Sequence, residues 1–195
     1  MSVGKKYCKI LCYGDSNTYG YDARSPFGDR FPGEYCWPDI LGKTLDAETV
    51  NCGMNGRCVP GSDYSIRTEL ASVKRHTPCD MVIVMLGSND ILNGLYSADE
   101  IAARMSVFLS AFMQEVPGAD FLLIAPPEID LTAQMKKQSV RLSLCYHKLA
   151  KELGIFFADA AIWQLPVAWD GVHLTLNGHR LFAEKTAELI TGLSV

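Results

Sequence analysis

Five polar residues lie just past apolar segments that read as strands: Ser16, Gly53, Asn89, Asp170 and His173. A serine hydroxyl is a weak nucleophile until a base takes its proton, and that base needs a partner to orient it. In WDGVHLT, Asp170 and His173 are three residues apart. One turn of compact loop can set the carboxylate beside imidazole Nδ1, and Nε2 would then face Ser16. Ser16 itself follows a strand in YGDSN, where Gly14 permits a tight turn and the next residues can open a helix. NCGMNG offers the Gly53 N–H, with no side chain to block a substrate, and GSND offers the Asn89 carboxamide. With the Ser16 N–H these make a three-donor oxyanion hole, in which one donor typically contributes roughly 100- to 1,000-fold in turnover. The chemistry implied is attack of Ser16 on an acyl carbonyl.

Singly, each residue has an ordinary explanation. Loop serines are mostly caps or turn residues, DxxH pairs are mostly solvated, and Gly53 and Asn89 serve turns as readily as catalysis. The conjunction carries the argument. Asp15 and Asp90 read as loop-organising hydrogen-bonding residues, and His76 and His147 as solvated residues on charged helix faces. His179, at the start of the last helix, lacks an aspartate three residues before it and is the weaker base. Cys52 and Cys58 read as inert thiols beside the oxyanion loop. Tyr19, Trp37, Arg57 and Trp169 are expected to line the substrate pocket, against the alternative that they only pack.

These groups need a scaffold that brings distant stretches to one edge. Strands are expected at Lys9 to Tyr13, Glu48 to Asn51, Met81 to Leu86, Phe121 to Ala125 and Ile155 to Ala158. The unbroken runs MVIVML and FLLIA mark strands buried on both faces, as in parallel sheets covered by helices. Between them, Ile101, Met105, Phe108, Leu109 and Phe112 recur at helical spacing behind a Ser97/Glu100 capping box. Leu142, Cys145, Leu149 and Leu153 mark the next helix, stopped by Gly154, and Phe182, Leu189, Ile190 and Leu193 the last. Alternating strands and helices imply right-handed crossovers and an α/β fold, a three-layer α/β/α sandwich about a central five-stranded, mainly parallel sheet. The segment from Tyr19 to Pro38, rich in Gly, Pro and aromatics, is expected to overhang the site.

The chain has 195 residues, 48% of them hydrophobic, and no linker composition divides it, so one domain over 1–195 with a sizeable core is expected. A net charge of −4 without long runs of either sign leaves no footprint for nucleic acid or an anionic membrane. A small-molecule partner is expected instead, and homo-oligomer formation is left open. Ile10 to Tyr13 is too short for a signal-peptide core, and no run spans a bilayer. Seven cysteines without a CxxC pair fit reduced thiols and a cytoplasmic location.

Taken together, the chain resembles the SGNH hydrolases, also called the GDSL esterase family. GDSN at 14–17 is similar to their first block, the Gly53 loop to their second, GSND at 87–90 to their third and DGVH at 170–173 to their last. The resemblance implies a flavodoxin-like fold with Ser16 as nucleophile, Gly53 and Asn89 as oxyanion donors and Asp170 with His173 as acid–base dyad. It also implies a cofactor-free, metal-independent hydrolase of small esters. GDSNTYGY, RFPGEYCWP and NCGMNGR are similar to a bacterial arylesterase and acyltransferase branch, with Asn17 standing where the family's name has Leu. Two rival readings cover fewer residues. In a phosphate-binding flavodoxin-like module GDSNTYG would cradle the anion, leaving GSND and DxxH idle. A metal-dependent phosphoesterase would use Asp15, Asp90, Asp170 and His173 as ligands.

Overall fold

In the computed structural model, which describes residues 6–25 and 27–193, five strands form one sheet: β1 (Lys9–Gly14), β2 (Glu48–Gly53), β3 (Met81–Met85), β4 (Asp120–Ala125) and β5 (Phe156–Asp159). Their order is β2-β1-β3-β4-β5 and every pairing is parallel. The expected strands are all present, with ends shifted by one or two residues; the weak second one runs on to Gly53.

Alternation along each strand divides the interior. Leu11, Tyr13, Val82, Val84, Phe121 and Leu123 pack against α3 (Asp63–Lys74), α5 (Ala98–Glu115) and α6 (Ala133–Leu153). Ile10, Cys12, Met81, Ile83, Leu122 and Ile124 point the other way, onto α2 (Trp37–Leu45) and α7 (Leu176–Leu193). The result is three layers, with apolar residues on both faces of the middle one. The capping box of α5 is formed by Ser97 and Glu100, and Gly154 ends α6 in the left-handed conformation.

Two short α-helices follow central strands, α1 (Ser16–Tyr19) directly after β1 and α4 (Ser88–Asn93) after β3. From β1 the chain moves to β2 on one side and then to β3 on the other, so the order reverses at β1. Ligands of open α/β sheets bind beyond the strand ends at such a point. Ser16 and Asn89 stand on its two sides. Gly14 does not make the tight turn that its place in YGDSN suggested. It is the last residue of β1, and a Cβ there would meet the Thr18 hydroxyl at 2.1 Å and the Met85 carbonyl at 2.8 Å.

Candidate active site

Asp15 starts the site. Its carboxylate caps α1 by accepting from the Asn17 N–H at 3.0 Å, which fixes the turn carrying Ser16. Burial pushes the Asp15 carboxyl up to about 6, opposed by the Asn17 N–H, the Ser88 hydroxyl and the charges of His173 and Arg57. It is a structural cap, as its sequence position indicated.

Ser16 and His173 are 157 positions apart, yet Ser16 Oγ and His173 Nε2 are 2.9 Å apart. His173 Nδ1 lies 2.7 Å from Asp170 Oδ2. The other Asp170 oxygen accepts from the Val172 and His173 N–H groups at 2.9 and 3.0 Å. Burial works to raise the Asp170 carboxyl, but these backbone and ring N–H groups outweigh it and hold it below the ordinary carboxylate range. Tyr21, which is assigned no role in the sequence analysis, packs its ring against His173 at a centroid distance of 4.4 Å, the planes tilted by 42°. Its position at the end of GDSNTYGY and in the expected overhanging segment is the signal that points to it. That segment does lie beside the site: Tyr21 bridges to Arg30, and the Trp169 indole N–H donates to Ala23 O at 3.1 Å.

The loops that carry the expected donors Gly53 and Asn89 are tied together by Arg57. Its guanidinium donates to Gly14 O at 2.7 Å and to Cys52 O, pairs with Glu69 at 3.2 Å, and lies 4.2 Å above the Tyr13 ring. Asn89 donates from Nδ2 to Arg57 O at 3.0 Å, which leaves that nitrogen a second hydrogen. Gly53 departs from its expected rationale. A Cβ there would lie 2.1 Å from Tyr19 N and 2.6 Å from Thr18 C, so glycine is needed for α1 to pack on β2 rather than to clear a substrate. Its N–H donates to Asn51 Oδ1 at 2.9 Å, and Asn51 Nδ2 donates to Thr18 O at 2.8 Å.

Two of the expected pocket residues, Trp37 and Arg57, lie buried away from any pocket. Trp37 is fully buried against Phe182, because Cys36 and Pro38 begin α2 there and turn the indole into the core. Arg57, 8% exposed, is committed to the carbonyls and carboxylate just named and does not face a ligand. Tyr19 is half-buried under the Arg30 guanidinium, and Trp169 is 83% exposed. A cleft of about 500 Å³ is walled by Asp22, Arg24, Phe31, Pro166, Leu174 and Asn177, next in sequence to Tyr21 and His173.

His179 is buried in the core, where its Nδ1 accepts from the Trp37 N–H at 3.3 Å. Burial and the Arg30 charge lower it to about 4. His147 is exposed on α6 and stacks on Phe157, while His76 lies beyond the end of α3 rather than on it. Asp90 accepts from the Val59 N–H and pairs with Arg104, so it organises its loop. The four ligands of the metal reading therefore do not converge, and among the described residues no group of three His, Cys, Asp or Glu is arranged to hold a metal ion.

A hydroxyl, imidazole and carboxylate in line at the C-terminal edge of a doubly wound parallel sheet place the chain in the class of α/β hydrolytic enzymes. A model of the GDSL-like lipase/acylhydrolase family matches residues 12–181, and the chain belongs to that family of esterases and acylhydrolases. A GDSL lipase of Mycobacterium tuberculosis is 27% identical over 191 residues, covering 93% of this chain and 81% of the relative. A carbohydrate acetylesterase family member of Sinorhizobium meliloti superposes with a TM-score of 0.82 at 27% identity, over 95% of this chain and 98% of that one. The aryl esterase of M. smegmatis, at 24% identity, shares the fold with a TM-score of 0.82 over 95% and 99% of the two chains. No helix among the described residues is long and apolar enough to cross a membrane.

Proposed function

We propose that this esterase cleaves small carboxylic esters through an acyl-enzyme on Ser16. The observation that carries the reading is the unbroken relay Ser16 Oγ, His173 Nε2, His173 Nδ1, Asp170 Oδ2, with links of 2.9 and 2.7 Å. Ser16 Oγ attacks the acyl carbonyl while His173 takes its proton, and Asp170 stabilises the imidazolium. The tetrahedral intermediate collapses, the alcohol leaves with the proton from His173, and water attacks the acyl-serine with His173 again as base. The free carboxylic acid is then released.

The developing oxyanion is met by the Ser16 N–H and the second hydrogen of Asn89 Nδ2. The Gly53 N–H joins them by sharing its hydrogen between Asn51 Oδ1 and the oxyanion. Asp22, Arg24 and Phe31 offer a mixed polar and apolar cleft for the alcohol part, with the Trp169 indole beside it. Short acyl groups, acetyl above all, fit the reading, and the acetylesterase relative supports it. The same acyl-enzyme gives acyl transfer when an alcohol replaces water, which the partial shielding of His173 and Asp170, each 21% exposed, favours. No cofactor or metal is assigned a role. Seven free cysteines support a cytoplasmic setting.

The test is hydrolysis of p-nitrophenyl acetate, longer p-nitrophenyl esters and an acetylated sugar by wild type, Ser16→Ala and His173→Ala. Turnover in both variants should fall by roughly 10³-fold or more. Rates equal to wild type would overturn the reading. Ethanol added to the wild-type reaction should divert product to ethyl acetate if transfer accompanies hydrolysis.

A further inference from the structure

We infer that Asn17 is a positioning residue that clamps the main chain on both sides of His173, an inference that rests on His173 being the base. Asn17 is 2% exposed. Its Nδ2 donates to Val172 O at 3.1 Å, and its Oδ1 accepts from Leu174 N at 2.8 Å. A residue in a parallel ladder bonds the two neighbours of the residue opposite it in this way. The Asn17 carboxamide thus acts as one extra strand residue set against His173.

The clamp closes a set of bonds around the imidazole. Asp170 Oδ1 holds the N–H groups of Val172 and His173, and Ala168 N–H donates to His173 O at 2.7 Å. Asn17 takes the two remaining flanking groups, the carbonyl of Val172 and the N–H of Leu174. Every one of these partners except Asn17 belongs to the loop that carries His173. Asn17 is the member that ties this loop to the helix bearing the nucleophile, from the position next to Ser16. The distance from Ser16 Oγ to His173 Nε2 is therefore set by adjacent residues of α1, one holding the ring and the other its backbone.

Leucine, the residue in the family's name at this position, can neither donate nor accept here. Asn17→Leu would leave Val172 O and Leu174 N unpartnered and let the loop shift against α1. Misplacement of a catalytic group by about 1 Å is enough for a loss of roughly 100-fold. The expected result for Asn17→Leu, and for the smaller Asn17→Ser, is a kcat on p-nitrophenyl acetate lowered roughly 10- to 100-fold with KM within about threefold. The far-downfield proton resonance of the His173 Nδ1–H bonded to Asp170 should broaden or vanish in the same folded variants. A residue that only stabilised the fold would lower the melting temperature and leave kcat and that resonance in place.

Folded Asn17 variants with wild-type kcat, alongside inactive Ser16→Ala and His173→Ala, would overturn the clamp and leave the ester-hydrolase reading standing. Active Ser16→Ala or His173→Ala would remove both, since the clamp would hold no base. Should neither Asn17 variant fold, hydrogen exchange at the Leu174 amide of the wild-type protein decides. Protection well above that of an open loop amide supports the clamp, and exchange at the open-loop rate sinks it.

Discussion

The Asn89 carboxamide donates to the main-chain carbonyl of Arg57 at 3.0 Å, while the Arg57 guanidinium binds the carbonyls of Gly14 and Cys52. One residue thereby touches the ends of β1 and β2 and the first turn after β3, the three places that carry the proposed oxyanion donors. The guanidinium fork spans two carbonyls and a carboxylate, which an ammonium on a flexible stem cannot do.

Arg57→Lys should therefore lower kcat by roughly tenfold or more and stability by about 1–3 kcal/mol. Arg57→Met, which leaves Glu69 without its cation, should cost about 3–5 kcal/mol. Urea unfolding and steady-state kinetics on the same samples separate the two effects. A lysine variant with wild-type kcat would show that the donors hold their places without the fork.

Gly53→Ala tests whether packing rather than substrate clearance demands glycine. The new methyl meets main-chain atoms of Thr18 and Tyr19 at 2.1 to 2.6 Å, so no side chain can swing away to admit it. α1 must move, and Ser16 with it. The expected outcome is a loss of about 1–3 kcal/mol of stability together with a fall in kcat for every ester alike. Selective loss on bulky esters, with stability unchanged, would restore the substrate-clearance explanation.

How much of this could be read in advance depends on where the information lies. The central strands declared themselves because β3 and β4 are buried on both faces and leave unbroken apolar runs. The helices α5 and α6 did so because their apolar stripes come with a capping box and a terminating glycine. α1 and α4 are a turn or so long and carry no periodicity, and α3 has only a few buried residues, so none of these announced itself. The convergence of Ser16, Asp170 and His173 was legible because a hydroxyl, an imidazole and a carboxylate at the ends of strand-like segments are chemically distinctive. Trp37 and Arg57 were misassigned for the opposite reason: aromatic and cationic side chains serve packing and ligands alike. Tertiary packing turns one toward Phe182 and the other toward the strand ends. Asn17 and Tyr21 act through residues more than 150 positions away, a separation that local pattern does not report.

Trp169 is exposed over 83% of its surface, and its indole N–H donates to Ala23 O. Its neighbour in sequence is Asp170. Removing such a side chain should change stability by no more than about 0.5 kcal/mol. If the indole is a wall for the alcohol part of the ester, Trp169→Ala should raise KM for aryl and sugar acetates by roughly three- to tenfold while kcat holds. Steady-state kinetics on phenyl acetate and an acetylated sugar, with ethyl acetate as a small control, read this directly. An unchanged KM for all three would remove Trp169 from the binding surface.

Asp15 and His179 are buried groups that titrate in the same pH range and pull stability in opposite directions. The Asp15 carboxyl is raised from 3.8 to about 6 in the folded protein, so between about pH 4 and 6 the unfolded chain gives up its proton first and stability falls as pH rises. His179 is lowered from 6.5 to about 4, so as pH falls from about 6.5 to 4 the unfolded chain gains its proton first and stability falls with it. Each contribution is on the order of 3 kcal/mol at most, and in the wild type the two largely offset. Substitution should expose them separately. Asp15→Asn keeps an acceptor for the Asn17 N–H and His179→Asn one for the Trp37 N–H, so the caps survive while the titrations are lost. Relative to wild type, Asp15→Asn should gain stability as pH rises from 4 to 6, and His179→Asn should gain it as pH falls from 6.5 to 4. Denaturant unfolding across this range gives the two slopes. Differences from wild type that do not vary with pH would mean that neither group holds its displaced protonation state in the native protein.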